Sequence, residues 1–308
     1  MSVLSEKHFH DEAAAYAWVE ARIWPEGPVC PHCGGFDRIG KMGGKSTRIG
    51  AYKCYQCRKN FTVKVGTVFE ASHVPMTLWL QAMCLLTSSK KGISSNQLHR
   101  TLGVTLKTAW FLSHRIREAM RVVGIEPLGG PNEPIEADET YIGGKAKNRA
   151  YREPAPKSPV FSLIERGGRV ASFHVANVTA TTLKPIIAKH AHSGSTLMTD
   201  EAPLYDGIGK SFAAHGTVNH SIKEYVRLDG YVHTNTAEGF FSVLKRGING
   251  IYQHVSEAHL HRYLAEFDFR HNNRIKLGVN DADRAARILK GAEGKRLTYR
   301  QPREATHA

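Results

Sequence analysis

Four cysteines constrain this chain more than any other feature. They stand as Cys30-x2-Cys33 and Cys54-x2-Cys57, with twenty residues between the pairs. Each C-x2-C lets two thiolates of one tight knuckle reach one ion. Two knuckles complete a tetrahedral S4 site, which suits Zn2+. Gly34 and Gly35 give the first knuckle its backbone freedom. Sulfur fills all four positions and leaves none for water, so the site is expected to be structural. Cys84 lies in an apolar helical run and reads as core, and His32, between two ligands, is not counted as one. Cysteines used this way fit a reducing compartment. The first residues, "MSVLSEKHFHDEAAAYAW", lack a basic segment followed by an apolar one, so a cytoplasmic location is expected.

Charge narrows the partner. Over 308 residues, 42 Lys and Arg face 28 Asp and Glu, a net +14. Such an excess points to a polyanion, most often nucleic acid. A membrane partner is not expected, because no run approaches about 18 consecutive apolar residues. Hydrophobic content of 41% is enough for packed cores, and the length suggests two or three domains.

The chain divides by composition. Residues 1–29 form an N-terminal helical segment, with a helix over "DEAAAYAWVEAR" ended by Pro25 and Gly27. Residues 30–70 form the zinc ribbon, where "RIGAYKCYQC" and "KNFTVKVGTVF" alternate as strands do. Residues 71–126 are helical. Within them "NQLHRTLGVTLKTAWFLSHRIR" gives a short helix, a break at Gly103 and a second helix that Thr105 can cap. The second helix carries Lys107, Thr108, His114, Arg115 and Arg117. A basic helix after a short glycine-containing turn fits a helix-turn-helix that reads a DNA major groove; an ordinary helix pair with a basic solvated face is the alternative. The Gly- and Pro-rich stretch 124–134 reads as a linker. A β-rich and then helical region, 132–278, precedes a C-terminal helix and basic tail, 279–308.

That fourth region carries an ordered set of acids. Alternation in "IEADETYIGG" puts Glu136, Asp138 and Thr140 on one strand face and Ala137 and Glu139 on the other. A later strand, "STLMTD", ends on Asp200 with Glu201 beside it, and Glu238 opens a long helix. The order strand, strand, strand, helix, strand, helix is that of a ribonuclease-H-like α/β fold with a mixed five-stranded sheet. There the first and fourth strands are neighbours and three carboxylates converge. Three such groups suit two hard divalent cations, Mg2+ or Mn2+. The whole chain is thus expected to be a multidomain α+β protein.

The blocks "WPEGPVCPHCGG", "ADETYIGGK", "TDEAPLY" and "HTNTAEGFFSVLKRGINGIYQHVS", with "HLHRYLAEFDFRHNNR" after them, resemble the DDE transposases of bacterial insertion sequences that carry an N-terminal zinc ribbon. The resemblance runs from about Phe9 to Tyr299. It implies metal-dependent cleavage and strand transfer at terminal inverted repeats, with Asp138, Asp200 and Glu238 as the catalytic acids. Lys245, seven residues after Glu238, would contact phosphate near the scissile bond, with Arg246 beside it. Some relatives carry Asn at the third position, so Asn235, one turn before Glu238, is a second candidate to support or share that role. Arg270 and Arg274 of "FRHNNR" are open between phosphate contact and a structural role. The resemblance also implies double-stranded DNA partners, a homodimer or higher assembly, and association with the bacterial nucleoid. A zinc-ribbon DNA-binding regulator with a degenerate catalytic domain, or a nuclease of the same fold without strand transfer, would share parts of this pattern.

Overall fold

The computed structural model describes residues 3–143 and 156–298. Gly144 and Lys145 of the "ADETYIGGK" block and the basic tail beyond residue 298 lie outside the described residues. The chain forms two compact units. One is Val122–Gly278; the other joins the residues up to Arg121 with those from Val279 onward.

The first unit begins with helix α1, Glu12–Ile23, where the Asp11 carboxylate accepts the Ala14 N–H at 3.0 Å. Ala15, Tyr16 and Val19 form its buried side. Strands β1 (Ile39–Lys41), β2 (Tyr52–Cys54) and β3 (Asn60–Phe61) make a small antiparallel sheet in that order. The expected strand over "KNFTVKVGTVF" stops at Phe61: Val63, Val68 and Phe69 are buried, but on turns. Alternation there marked burial, not pairing. Helix α2, Met76–Ser88, has no cap of its own, and the Glu12 carboxylate accepts from Met76 N (2.7 Å) and Thr77 N (3.1 Å) instead. Helices α3 (Ser95–Leu102) and α4 (Leu106–Met120) are capped by Ser94 and Thr105, and Gly103 between them takes the left-handed conformation at φ 66°.

The second unit is built on one sheet. Its strands are β4 (Pro134–Ile142), β5 (Ser158–Glu165), β6 (Val170–His174), β7 (Thr196–Asp200) and β8 (Ala214–Val218), ordered β6-β5-β4-β7-β8. The first three pair antiparallel; β4 with β7, and β7 with β8, pair parallel. Helix α5 (Ala180–His190) is the crossover that returns the chain for β7, and the short α6 (Asp206–Gly209) precedes β8. This is the ribonuclease-H-like topology. One sheet face, through Ala137, Leu163 and Leu197, packs with Leu183 and Ile187 of α5. The other, through Ile142, Val160 and Ile164, packs under helices α7 (Asn235–Gly247) and α8 (Glu257–Asn272).

Helix α9, Asp281–Lys290, belongs to the first unit, where it packs on α1, α2 and α4. The C-terminal segment is therefore not a separate piece. Lys295 donates to the carbonyls of Glu118 (3.0 Å) and Arg121, closing the end of α4.

Gly129, at the entry to the sheet unit, has φ +79°, and a Cβ there would stand 2.3 Å from Ser195 Oγ and 2.5 Å from Ile135 Cδ1. Gly129→Ala is expected to cost about 1–3 kcal/mol through both the backbone and the clash. Urea unfolding checks this; a change below about 0.5 kcal/mol, the ordinary range for surface sites, would contradict it.

Candidate metal centre and active site

The zinc ribbon forms as its spacing demands. Cys30, Cys33, Cys54 and Cys57 bring their sulfurs within 4.8 Å of one another, with Cys30–Cys57 at 3.6 Å and Cys33–Cys54 at 3.7 Å. Four sulfurs about 2.3 Å from a tetrahedral zinc would stand about 3.8 Å apart, so the donor set fits Zn2+. Gly34, at φ +73°, lets its N–H return to the Cys30 carbonyl at 2.8 Å. The backbone N–H of Cys57, then that of Gln56, holds the Cys54 thiol down to about 7, whereas the Cys33 thiol beside it rises against its Gly35 N–H bond, through burial and the other three cysteines. Tyr52, Phe61 and Trp24 pack around the cluster.

The helix pair α3–α4 has the expected turn but a different charge distribution. Lys107 is exposed and Thr108 half-buried on the first turn of α4, beside exposed Leu106 and Trp110. Arg115 and Arg117 are buried, which corrects their expected place on a DNA-facing surface. Arg115 donates to the carbonyls of Val68 (2.9 Å), Glu70 (2.9 Å) and Leu297 (3.1 Å), and Arg117 to Ser113 Oγ (3.1 Å). Both guanidiniums face the interior rather than a DNA surface. His114 is buried with them.

Strand pairing sets the acids. β4 and β7 run parallel with Glu136 opposite Met198. Continuing that register by two residues puts Asp138 level with Asp200 on the same face. Burial pushes the Asp138 carboxyl up to about 7; the Glu139 backbone N–H opposes the rise, while the charges of Glu139, Asp200 and Glu238 add to it. Asp200 and Glu238 thus each lie near enough to act on Asp138, and a donor set of this kind favours a hard cation. The acids are spread wider than the sulfurs: among the described residues, only the four cysteines gather as a metal-binding cluster.

Side chains around the acids have specific partners. Glu238 is exposed and stands 3.8 Å from His220 Nε2. Glu201 is not turned to the acids, because it accepts from His220 N (3.0 Å), Ser221 N (3.1 Å) and Ser221 Oγ (2.6 Å). The Ser221 hydroxyl, with backbone N–H groups, lowers its pKa to about 2. Glu139, on the opposite strand face, accepts from the buried Tyr205 hydroxyl at 2.5 Å. Asn235 and Lys245 are exposed on α7, and Arg246 folds back onto Ser242. Arg270, buried, pairs with buried Glu266, and Arg274 donates to the Gly167 (2.8 Å) and Gly168 (2.9 Å) carbonyls. Both arginines therefore serve the fold. Alternation puts Glu136 and Asp138 on one face and does not by itself separate their surroundings. His220, beside Glu238, and Arg166, whose Nε donates to Glu136 at 3.0 Å, come from distant segments and leave no signal in the sequence.

Comparison with known proteins identifies two domains. Residues 10–60 match the transposase zinc-ribbon domain, and residues 127–272 match the ISXO2-like transposase domain. Both matched domains are transposase domains. A relative from Halobacterium salinarum, described as an uncharacterized protein in transposable element ISH50, is 29% identical over 283 residues, covering 86% of this chain and 92% of its own. Among solved structures, the simian T-cell lymphotropic virus intasome in complex with PP2A regulatory subunit B56 gamma aligns over 56% of this chain and 63% of its own, at 19% identity and TM-score 0.28. A pre-cleavage Mos1 transpososome aligns over 68% and 73%, at 13% identity and TM-score 0.26. Overlaps this loose say nothing about the site. In the transposase, no helix among the described residues is long and apolar enough to cross a membrane.

Two outcomes follow for the transposase. Asp138 titrates near 7 when folded and near 3.9 when unfolded. Its contribution to stability is therefore whole below about pH 4 and is lost as pH rises through about 7. In metal-free buffer Asp138→Asn is expected to remove that share of the slope and to be the more stable protein above pH 7, by roughly 1–4 kcal/mol. Urea unfolding at pH 5 and pH 8 with a chelator checks it, and equal stability at pH 8 would contradict it. Prolonged chelation is expected to abolish hydrogen-exchange protection across residues 30–61 while strands β4 to β8 keep theirs. Retained ribbon protection with zinc removed would show that the cysteines pack without the metal.

Proposed function

We propose that this transposase cuts DNA at the terminal inverted repeats of its insertion sequence and joins the ends to target DNA. Asp138, Asp200 and Glu238 would hold two Mg2+ or Mn2+ ions. Such cations, when bound, lower the pKa of an attacking water or 3′-hydroxyl and stabilise the leaving oxygen. The observation that carries this reading is the parallel register of β4 and β7, which levels Asp138 with Asp200 on the sheet face covered by α7, whose first turn bears Glu238, in a chain of net +14.

The remaining roles follow from placement. Half-buried Asp138, with like charge around it, is the acid most in need of a cation. Exposed Lys245 on the Glu238 helix is set to meet a phosphate, and Arg246 lies next to it. The zinc ribbon and the first turn of α4, through Lys107 and Thr108, would bind the repeats; recognition helices read base edges with their N-terminal residues. Two ends must be held together for joining, so a homodimer or larger assembly on double-stranded DNA is proposed.

Labelled DNA bearing the element's own ends, incubated with protein and Mg2+, tests the reading. Wild type is expected to nick the ends and join them to target. Glu238→Ala is expected to lose nicking and joining below detection while keeping end binding, and Asn235→Ala to stay active. An inactive Asn235→Ala beside an active Glu238→Ala would move the third ligand to Asn235. End binding without any cutting by wild type would favour a regulator, and cutting without joining a nuclease. Lys245→Ala is expected to lower the slope of log affinity against log salt by about one.

A further inference from the structure

Glu136 is the most deeply committed acid near the site, and the reading above gives it no role. It is fully buried. One carboxylate oxygen accepts the backbone N–H groups of Thr236 (2.8 Å) and Ala237 (3.0 Å); the other accepts the Thr236 hydroxyl (2.8 Å) and Arg166 Nε (3.0 Å). His233 Nδ1 lies 3.2 Å from that second oxygen. Arg166 also donates to the carbonyls of Tyr231 (2.7 Å) and His233 (3.2 Å), on the segment that leads into α7.

These bonds fall where α7 lacks them. Its N-cap residue, Thr234, makes no side-chain cap. The first N–H groups of a helix have no partner within it and carry partial positive charge. A buried carboxylate from β4 supplies the missing acceptor, and Arg166 balances its remaining charge. Glu136 stands two residues before Asp138 on one strand face, and Ala237 stands one residue before Glu238. The carboxylate thus joins the two elements that carry the first and third acids, at the residues next to those acids.

We propose that Glu136 is a positioning residue, which fixes the first turn of α7, and with it Glu238, against the strand that carries Asp138. This role rests on the assignment of Asp138 and Glu238 as metal ligands. Partners that orient ligands without touching the metal typically set metal affinity by about ten- to a hundredfold.

The test uses the full chain with Glu136→Gln and Glu136→Ala. Hydrogen exchange reads the amides of Thr236 and Ala237, with α8 as the control for folding. Electron paramagnetic resonance reads binding of Mn2+ alone, and filter binding reads affinity for the DNA ends. Glu136→Ala is expected to expose the two amides, leave α8 protected and weaken Mn2+ binding by about tenfold or more. Glu136→Gln keeps one acceptor oxygen and is expected to fall between. End affinity is expected to stay within about twofold, because the carboxylate is buried away from DNA. Unchanged amide protection, or unchanged Mn2+ affinity with the amides exposed, would overturn the proposal. If Glu136→Ala loses α8 protection as well, Glu136→Gln decides on the same two readouts. A wild type that binds Mn2+ with the expected sensitivity to Glu136 yet never cuts DNA would sink the transposition reading alone.

Discussion

The parallel pairing of β4 with β7 is the constraint on which the site depends. Parallel neighbours cannot be joined by a tight turn, so α5 must carry the chain across the sheet between them. Once that crossover is made, the register with Glu136 opposite Met198 leaves no freedom over where the strand ends stand. Asp138 and Asp200 come level because each stands two residues beyond that pair, and the pleat's period of two puts them on the same face. A shift of one residue in either strand would turn one acid to the α5 side, where Ala137 and Leu197 are now packed. The apolar residues of both sheet faces thus enforce the position of groups that are themselves costly to bury.

Helix ends in this chain are repeatedly closed by distant residues. Glu12 accepts the first amides of α2, Glu136 those of α7, and Lys295 donates to the last carbonyls of α4. A local cap fixes only the helix it belongs to. A remote cap also fixes the distance between two elements, because the same charge that satisfies the orphan groups is anchored elsewhere. The return of α9 and Lys295 to the first unit has this consequence: residues nearly two hundred positions apart complete one helix. None of these partners could be chosen from sequence, since a glutamate or lysine on a helix face reads the same whether it meets solvent or a remote amide.

What was legible followed from periodicity. The helix over α1, the strands β4 to β7, the face that Glu136 and Asp138 share, and the cap at Thr105 are all local patterns, and local patterns survive folding. Strand β8 was hidden by "AHGTV", which has a central glycine and little alternation, as an edge strand can afford. A basic helix after a glycine turn points Arg115 and Arg117 toward DNA, since charged residues usually lie on the surface. Arg115 can be buried because carbonyls from Val68, Glu70 and Leu297 replace water around it, and Arg117 is buried beside Ser113, to whose hydroxyl it donates. Leu297 lies far along the chain, beyond the reach of any window-based reading.

Asp138 and Glu136 show how one strand face gives two acids different tasks. They are two residues apart and point the same way; Glu136 is fully buried and Asp138 half-buried. Glu136 recovers its lost hydration inside the protein, from two amides, a hydroxyl and a guanidinium. Asp138 recovers little, since it accepts one amide and is surrounded by like charge from Glu139, Asp200 and Glu238. A fold selected for stability alone would complete the second as it completed the first. The unbalanced acid beside the balanced one is therefore where a cation has most to gain by binding, and the balanced one keeps the helix of the third acid in reach while it does so.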